Sequence, residues 1–303
     1  MSEWLTAELD KQEYVGNEEL LKEKTLEIDN LIKKINAYLE VHPKLKEKLF
    51  SEEHRDERFS RSAKSYLTLE GEKDIDIIPS VNMTEAQREY DKLQIMQFHA
   101  YREACQFVHD SAQNPFSSLD SSLSVRLHNI LLMNDPDKHL KIRPRLRNQD
   151  DPQIIIGQGY FDPVDGAKVS ERFCVMLYKY EDVWKNDNIF IKGAKFVVEY
   201  VRIQPHLDGN KRMALMLLNF ILNKHGYSDV YFAQNQTTAL YDSIKTAMLT
   251  RDVTPLACLI AESSRLYCED IVEKIKEHRL KNSLNTAIIE PVDVPSDINT
   301  TDI

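Results

Sequence analysis

The chain has 303 residues, 42% of them hydrophobic and 29% charged, which suits one substantial core with appendages or two modest domains and excludes disorder throughout. A formal charge of −10 excludes a nucleic-acid binder that works by general basicity, since such a protein must neutralise phosphates with Lys and Arg. Any phosphate site is therefore local.

The N-terminal stretch MSEWLTAELDKQEY is charged where a signal peptide needs an apolar run, and the longest apolar stretch, Met213 to Leu218, is too short to span a membrane. The expected location is cytoplasmic, of a bacterial type, with no membrane partner; export by a specialised effector apparatus would leave no such signal. Cys105, Cys174, Cys258 and Cys268 are scattered among apolar residues without zinc-site spacing and read as reduced thiols.

With only 8 glycines and long apolar periodicities, the chain reads as mainly helical, strands being a minority. From Asn17 to Leu49 the pattern is charged and helical, broken near His42-Pro43, which predicts a helical hairpin or arm that packs on the rest or makes an oligomer contact, a homodimer being one form. A short helix is expected over Ser62 to Glu70, closed by Gly71. Thr84, with Gln87 three residues on, predicts the start of a long helix that runs to about Ala112.

Asn114-Pro115 breaks that helix, and another follows within Ser118 to Met133. Next come the basic residues Lys141, Arg143, Arg145 and Arg147, read as a solvated face with target or nucleotide docking as the alternative. Ile154-Ile155-Ile156 beside Gly157-Gln158-Gly159 suggests a short β-hairpin. Helices resume over about Val169 to Val183, Ile189 to Ile203, Asn210 to a Gly226 cap, Thr238 to Thr250 and Thr254 to Lys281, and the aperiodic tail beyond Asn282 reads as disordered.

The segment Gln204-Pro-His-Leu-Asp-Gly-Asn-Lys-Arg212 lies between two apolar helices. The first turn of a helix leaves N–H groups without intrahelical partners, and the helix dipole makes that end partly positive, so phosphate oxygens fit there. Gly209 permits close backbone approach or positive φ, Asn210 tolerates a tight turn, and Lys211 and Arg212 add full charges. Asp208 favours an anion only if it ligates a bridging Mg²⁺. The competing reading is an ordinary capped helix with solvated Lys and Arg.

The residues PHLDGNKR, between VVEYVRIQ and MALMLLNFILNKHGY, resemble the Fic-domain signature His-Pro-Phe-x-Asp/Glu-Gly-Asn-Gly/Lys-Arg. SSLSVRLHNILLM resembles that family's helix ahead of its flap, PQIIIGQGYFDP its flap hairpin, and YDSIKTAMLTRDVTPLACLI its closing helices, so the resemblance covers roughly residues 85 to 265. It implies a mainly helical Fic-like fold with a small β-hairpin flap, divided into an N-terminal helical arm (1–82), a Fic-like domain (83–265) and a helix end with tail (266–303).

Members of that family mostly transfer AMP from ATP to a protein hydroxyl, while the Doc branch, with Lys where most have Gly, phosphorylates. The resemblance implies Mg²⁺ and ATP or another nucleotide as cofactors, Asp208 as the metal ligand, Gly209, Asn210 and Lys211 as the phosphate cradle, and Arg212 as the clamp on a terminal phosphate. Tyr241 would pack near the base, and Ile154, Ile155 and Ile156 would take a target protein by strand addition.

The chain departs from the pattern at the family's general base, where Gln204 stands for His, and a neutral amide accepts no proton at physiological pH. His206, where the family has Phe, is the nearest replacement base, against a packed core histidine. Leu215 stands where many members carry a second Arg, and Leu249 where an adenine-contacting Asn is common. Tyr66-Leu-Thr-Leu-Glu70-Gly71 resembles the inhibitory Ser/Thr-x-x-x-Glu-Gly segment with Tyr in the hydroxyl position, so residues 65–71 are read either as that segment or as a plain helix end.

The expected function is a Fic-like nucleotide-binding protein, an adenylyltransferase with altered or impaired catalysis. The alternative is a pseudoenzyme acting as a nucleotide- or protein-binding module. Phosphotransfer of the Doc kind, and removal of a protein-bound AMP with Glu70 aligning water, are weaker fits.

Overall fold

The computed structural model describes residues 13–69, 85–133, 144–154, 161 and 163–289. Among the described residues there are ten α-helices: α1 (Glu18–Glu40), α2 (Pro43–Leu49), α3 (Glu52–Leu69), α4 (Glu85–Gln113), α5 (Ser121–Met133), α6 (Val169–Tyr178), α7 (Ile189–Ile203), α8 (Asn210–Lys224), α9 (Thr237–Thr250) and α10 (Thr254–Ile289). The mainly helical class expected from periodicity is what forms. No extended strand occurs among the described residues, where Val15 pairs with Asp252 in an isolated parallel bridge. The expected hairpin falls on residues 155–160, outside the described residues, and Ile154 carries no strand assignment.

The centre of the fold is the α7–α8 hairpin. Asn188 caps α7 by accepting from the Phe190 N–H at 3.0 Å, and nearly every side chain from Phe190 to Ile203 is buried. Its buried charges have partners, Lys195 with Asp187 at 2.7 Å and Glu199 with Tyr14 at 2.9 Å, so the helix is enclosed on nearly every side. The same holds for α8, buried almost continuously from Met213 to Leu222. The two helices run antiparallel in close contact: a Cβ on Gly193 would lie 2.6 Å from Leu218 Cδ1. Around this pair, α4 packs on α8, α10 on α7, α5 on α4 and α6 on α7.

The N-terminal helices are built into that core. Asn17 caps α1 through its side chain, and Leu21, Ile28, Ile35 and Leu39 face α10 and α7 at helical spacing. Pro43 starts α2 at the position a helix tolerates best. Helix α3 begins at Glu52, ten residues before the expected start; its front half, EEHRDERFSR, is charged, but Phe59, Ala63, Tyr66 and Leu67 form a buried stripe against α4. A strap ahead of α1 is tied down as well: Val15 N–H donates to the Arg251 carbonyl and Val253 N–H to the Val15 carbonyl, both at 2.9 Å, and the Tyr14 hydroxyl donates to Glu199 at 2.9 Å.

At the other end, α10 continues to Ile289, past the expected end at Lys281. The Thr84 cap, Glu70-Gly71 and the final tail from Glu290 lie outside the described residues.

Because one buried cluster joins α1 and α3 to α4, α7, α8 and α10, Ile28→Ala should lower global stability by about 2–5 kcal/mol, the range for large-to-small changes in a core. Urea unfolding followed by both tryptophan fluorescence and far-UV circular dichroism should give one shared transition; a separate early transition would show instead that the N-terminal helices fold apart from the core.

Candidate active site

The loop from Gln204 to Gly209 joins α7 to α8 by two left-handed residues. Gln204 caps α7 with φ 49° and ψ 63°, its N–H reaching the Tyr200 carbonyl. Gly209 precedes α8 with φ 78° and ψ 6°. A side chain at Gly209 would be strained by that φ and would also place its Cβ 2.9 Å from Leu131 Cδ2 on α5. Of the two reasons for a glycine considered from sequence, positive φ and close approach, the structure supplies φ, and the close neighbour is the α5 leucine.

The loop interior is filled with hydrogen bonds. Asn210 donates from Nδ2 to Gln204 Oε1 at 2.8 Å and to the His206 carbonyl at 2.7 Å, and its Oδ1 accepts from His206 N–H at 2.9 Å. The Gln204 amide also donates to the Val201 carbonyl at 2.7 Å. Both ends of this amide are therefore engaged, and the side chain is buried. Gln204 acts here as a structural clamp between the end of α7 and the start of α8.

Arg147, read from sequence as part of a solvated face, is buried. It donates from Nε to the Gln204 carbonyl at 2.7 Å and from Nη2 to the carbonyls of Val164 and Ile203 at 2.8 and 3.2 Å, while Pro205 accepts from its backbone N–H at 2.7 Å. It brings charge to the carbonyl end of α7, where the dipole favours a cation. Arg145 is also committed, in a two-pronged pair with Asp151 at 2.7 Å. Arg143 lies outside the described residues.

His206 is fully buried and both ring nitrogens have partners: the Arg145 carbonyl lies 3.0 Å from Nδ1 and Ser124 Oγ 3.1 Å from Nε2. A carbonyl only accepts, so Nδ1 carries the proton, and Nε2 accepts from Ser124. The Tyr200 hydroxyl, 3.1 Å from Ser124 Oγ, completes the chain of donors. His206 also stacks on His128, ring centroids 4.0 Å apart. Burial, then the neighbouring His128 ring, hold its pKa well below the usual imidazole value. Its environment is that of a neutral core histidine filling the place of an aromatic residue.

His128 donates from Nε2 to the Asp208 carbonyl at 3.0 Å, and burial lowers its pKa to about 4. Through that bond α5 holds the backbone just ahead of α8. The Asp208 carboxylate is partly exposed, accepts from the Gly209 N–H at 2.7 Å and lies 3.6 Å from Arg212 Nη2. Arg212 is buried, donates from Nη1 to the Tyr101 hydroxyl and packs over that ring, its guanidinium carbon 5.4 Å from the centroid. Lys211 is exposed, its ammonium 4.7 Å from the centre of the Tyr241 ring and 3.4 Å from its hydroxyl.

The expected residues Gln204, His206, Asp208, Gly209, Asn210, Lys211, Arg212 and Tyr241 thus share one neighbourhood around the start of α8. Ile154 is half-buried; Ile155, Ile156 and Glu70 lie outside the described residues. Tyr66, ahead of Glu70, is buried and accepts from Asn219 at 3.3 Å. Leu215 is in the core, and Leu249 is exposed. Sequence reasoning misses the bracing roles of Ser124, His128, Tyr101, Tyr200 and Arg147; for the first four a polar residue on a largely apolar helix face is the available signal, and for Arg147 there is no local one. Among the described residues no cluster of His, Cys, Asp or Glu forms a metal site, and no helix is long and apolar enough to cross a membrane.

The model of the Fic/DOC family matches residues 118–222, from α5 through the loop to the end of α8. A fragment of Fic-1 from C. elegans superposes with a TM-score of 0.63 at 16% identity, covering 86% of this chain and 74% of that one. A Fic domain containing signaling protein from Bacteroides thetaiotaomicron VPI-5482 gives 0.62 at 14% identity, over 85% of this chain and 98% of that one. A Fic family protein from Desulfovibrio desulfuricans G20 gives 0.55 at 15% identity, over 82% and 74%. At these identities the likeness is one of fold. No curated protein matches the sequence.

The two stacked histidines couple this loop to pH. Their folded pKa values lie below the unfolded value of about 6.5, so their contribution to stability is complete above pH 6.5 and is lost as pH falls toward about 4, where His128 takes its proton. His206→Phe should therefore fold and show a smaller drop in urea midpoint between pH 7 and pH 5 than the parent chain. An unchanged drop would mean that His206 is not the buried neutral ring described.

Proposed function

We propose, from the match of residues 118–222 to the model of the Fic/DOC family, that the chain binds nucleotide with Mg²⁺ at Asp208 to Arg212 and is impaired in transfer of AMP to a protein hydroxyl. The observation that carries this reading is the state of Gln204. The loop at the start of α8 is braced from α5, α7 and Arg147, which supports a cradle role, while the residue where the family keeps its base has its amide engaged by Val201 and Asn210. Phosphate binding and proton removal are separable tasks.

The residues present fit a nucleotide and Mg²⁺. Asp208 offers a partly exposed carboxylate, the hard oxygen donor that Mg²⁺ prefers. The first N–H groups of α8 and the Arg212 guanidinium, held by Tyr101, supply positive charge for phosphate oxygens, while Gly209, Asn210 and Lys211 shape the turn. Tyr241 presents a ring face now covered by the Lys211 ammonium, which a nucleotide base would share or displace. Asp208 would hold Mg²⁺, which would supply positive charge to offset that of the phosphates. The segment around Ile154, Ile155 and Ile156 is assigned to docking the target protein by strand addition.

His206 is not assigned the missing base: both its nitrogens are committed and its pKa is low. A chain that binds nucleotide and target without turnover, signalling by occupancy, is the second reading, favoured by the same internal hydrogen bonds of Gln204.

Calorimetric titration with ATP, GTP, CTP and UTP in the presence of Mg²⁺ should show binding of at least one of them, weakened tenfold or more by Asp208→Ala or Arg212→Ala. No binding of any nucleotide removes the cradle assignment. Incubation of a lysate with labelled nucleotide should show slow or no modification by the parent chain and faster modification by Gln204→His, a well-placed base being worth about 10² to 10⁴-fold. Equal labelling by both would show that position 204 does not limit transfer.

A further inference from the structure

A second cavity, of about 460 Å³, lies at the far end of α8, where α1, α3, α4 and α10 converge. That volume falls within the range of small-molecule sites, which runs from about 300 to 1,000 Å³. Its composition is asymmetric. Arg55 and Arg58 on α3 supply positive charge on one side, beside the His109 ring on α4, in a chain of net charge −10. The Arg58 guanidinium is oriented by the Tyr267 hydroxyl, which accepts from Nη1 at 3.0 Å, and by the Phe50 ring. Among the described residues neither Arg55 nor Arg58 has a carboxylate within ion-pair distance, although six other arginines, Arg61, Arg102, Arg145, Arg202, Arg212 and Arg265, do.

The other side carries neutral and acidic hydrogen-bonding groups. Asn223 at the end of α8 donates to Asp229 at 2.6 Å, and burial pushes the Asp229 carboxyl up against the lowering effect of His109 and Arg58. Ser228 Oγ is buried in the cavity wall without a hydrogen-bond partner among the described residues. A buried hydroxyl left without a partner costs free energy comparable to a lost hydrogen bond, unless something in the cavity supplies one. Ile32, Ile35 and Ile271 give the apolar part of the lining, and a Cβ at Gly226 would meet nothing within 4 Å, so the space beside it is open.

We propose that this cavity is a binding site for a small hydroxylated organic oxyanion, its phosphate or carboxylate held by Arg55 and Arg58 and its hydroxyls by Ser228, Asn223 and Asp229. Arginine forks match the oxygens of both head groups, and the carboxylate of Asp229 is an acceptor suited to hydroxyl donors at the opposite end. The site is distinct from the Asp208–Arg212 cradle: α8 runs between them, starting at one and ending at the other. The N-terminal helices provide the charged wall and the core helices the hydroxyl-binding wall, so an occupant would tie the two together and add to stability by mass action.

The test uses the full chain, labelled at isoleucine δ-methyl groups, titrated with glucose 6-phosphate, gluconate, inorganic phosphate and glucose and followed by NMR. The expected result is saturable shifts at Ile32, Ile35 and Ile271 with glucose 6-phosphate or gluconate, absent with glucose, and weaker with phosphate alone. Comparing the two oxyanions identifies the head group. Arg55→Glu, a half-buried position on the outer part of α3, should weaken binding tenfold or more, and Ser228→Ala should weaken it less, while Asp208→Ala leaves it unchanged. The proposal is overturned by no saturable shift at these methyls with either sugar acid or sugar phosphate, by shifts that persist unweakened in Arg55→Glu, or by loss of binding in Asp208→Ala. If Arg55→Glu fails to fold, Arg58→Gln carries the same expectation and the same refutation.

Discussion

A short polar loop has to cross between two helices that are buried almost all round, and the constraint is that every polar group it brings into the core must find a partner. The solution centres on the Asn210 side chain, which at once donates to Gln204 and to the His206 carbonyl and accepts from the His206 N–H. One amide thereby closes the loop on itself. Left-handed backbone at Gln204 and Gly209 makes the two reversals of direction that bring those groups within reach. Buried polar networks are costly when partly satisfied and rigid when complete, and this one fixes where α8 begins and so where its positive end points.

The surrounding helices extend the same logic outward. His128 and Ser124 come from one turn of α5, Tyr200 from α7, and Arg147 from the segment that lies over the loop. Each supplies a donor or acceptor to a backbone or ring atom that the loop cannot satisfy alone. The charged groups are arranged around this frame, with Arg212 held inside against Tyr101 and Lys211 outside against Tyr241. Rigidity in the frame is what makes an anion site effective, because donors held in place lose little freedom when a ligand arrives.

Much of the fold was readable from apolar periodicity. Helices α7 and α8 begin and end within a residue or two of expectation, since Asn188, Pro205, Gly209 and Gly226 punctuate them with residues whose backbone preferences are strong. The front of α3 was not readable, because EEHRDERFSR has the composition of a solvated stretch and its helicity rests on packing of Phe59 against α4 and beyond. At the site, the backbone chemistry of Asp208 to Arg212 followed from residue types alone. The role of Arg147 did not, since nothing local distinguishes an arginine on a solvated face from one that closes three carbonyls in the core. His206 falls between: the aromatic place it fills was inferable by resemblance, but its neutral state depends on Ser124 and the Arg145 carbonyl, each more than fifty residues away in sequence.

The residue at position 204 brings these threads together. A glutamine amide has a donor and an acceptor on one rigid plane, and both are used, one on the last turn of α7 and one on Asn210 at the first turn of α8. An imidazole there could satisfy both contacts only by orienting one ring nitrogen toward each, and it would then have no nitrogen left to take a proton from a substrate. To act as a base it would have to release one contact and leave Asn210 or Val201 to find another partner. Closing the loop with the side chain at 204 and using that side chain for proton transfer are therefore competing demands, and glutamine satisfies the first at the expense of the second. The network that fixes the start of α8 is the same network that occupies both ends of the Gln204 amide.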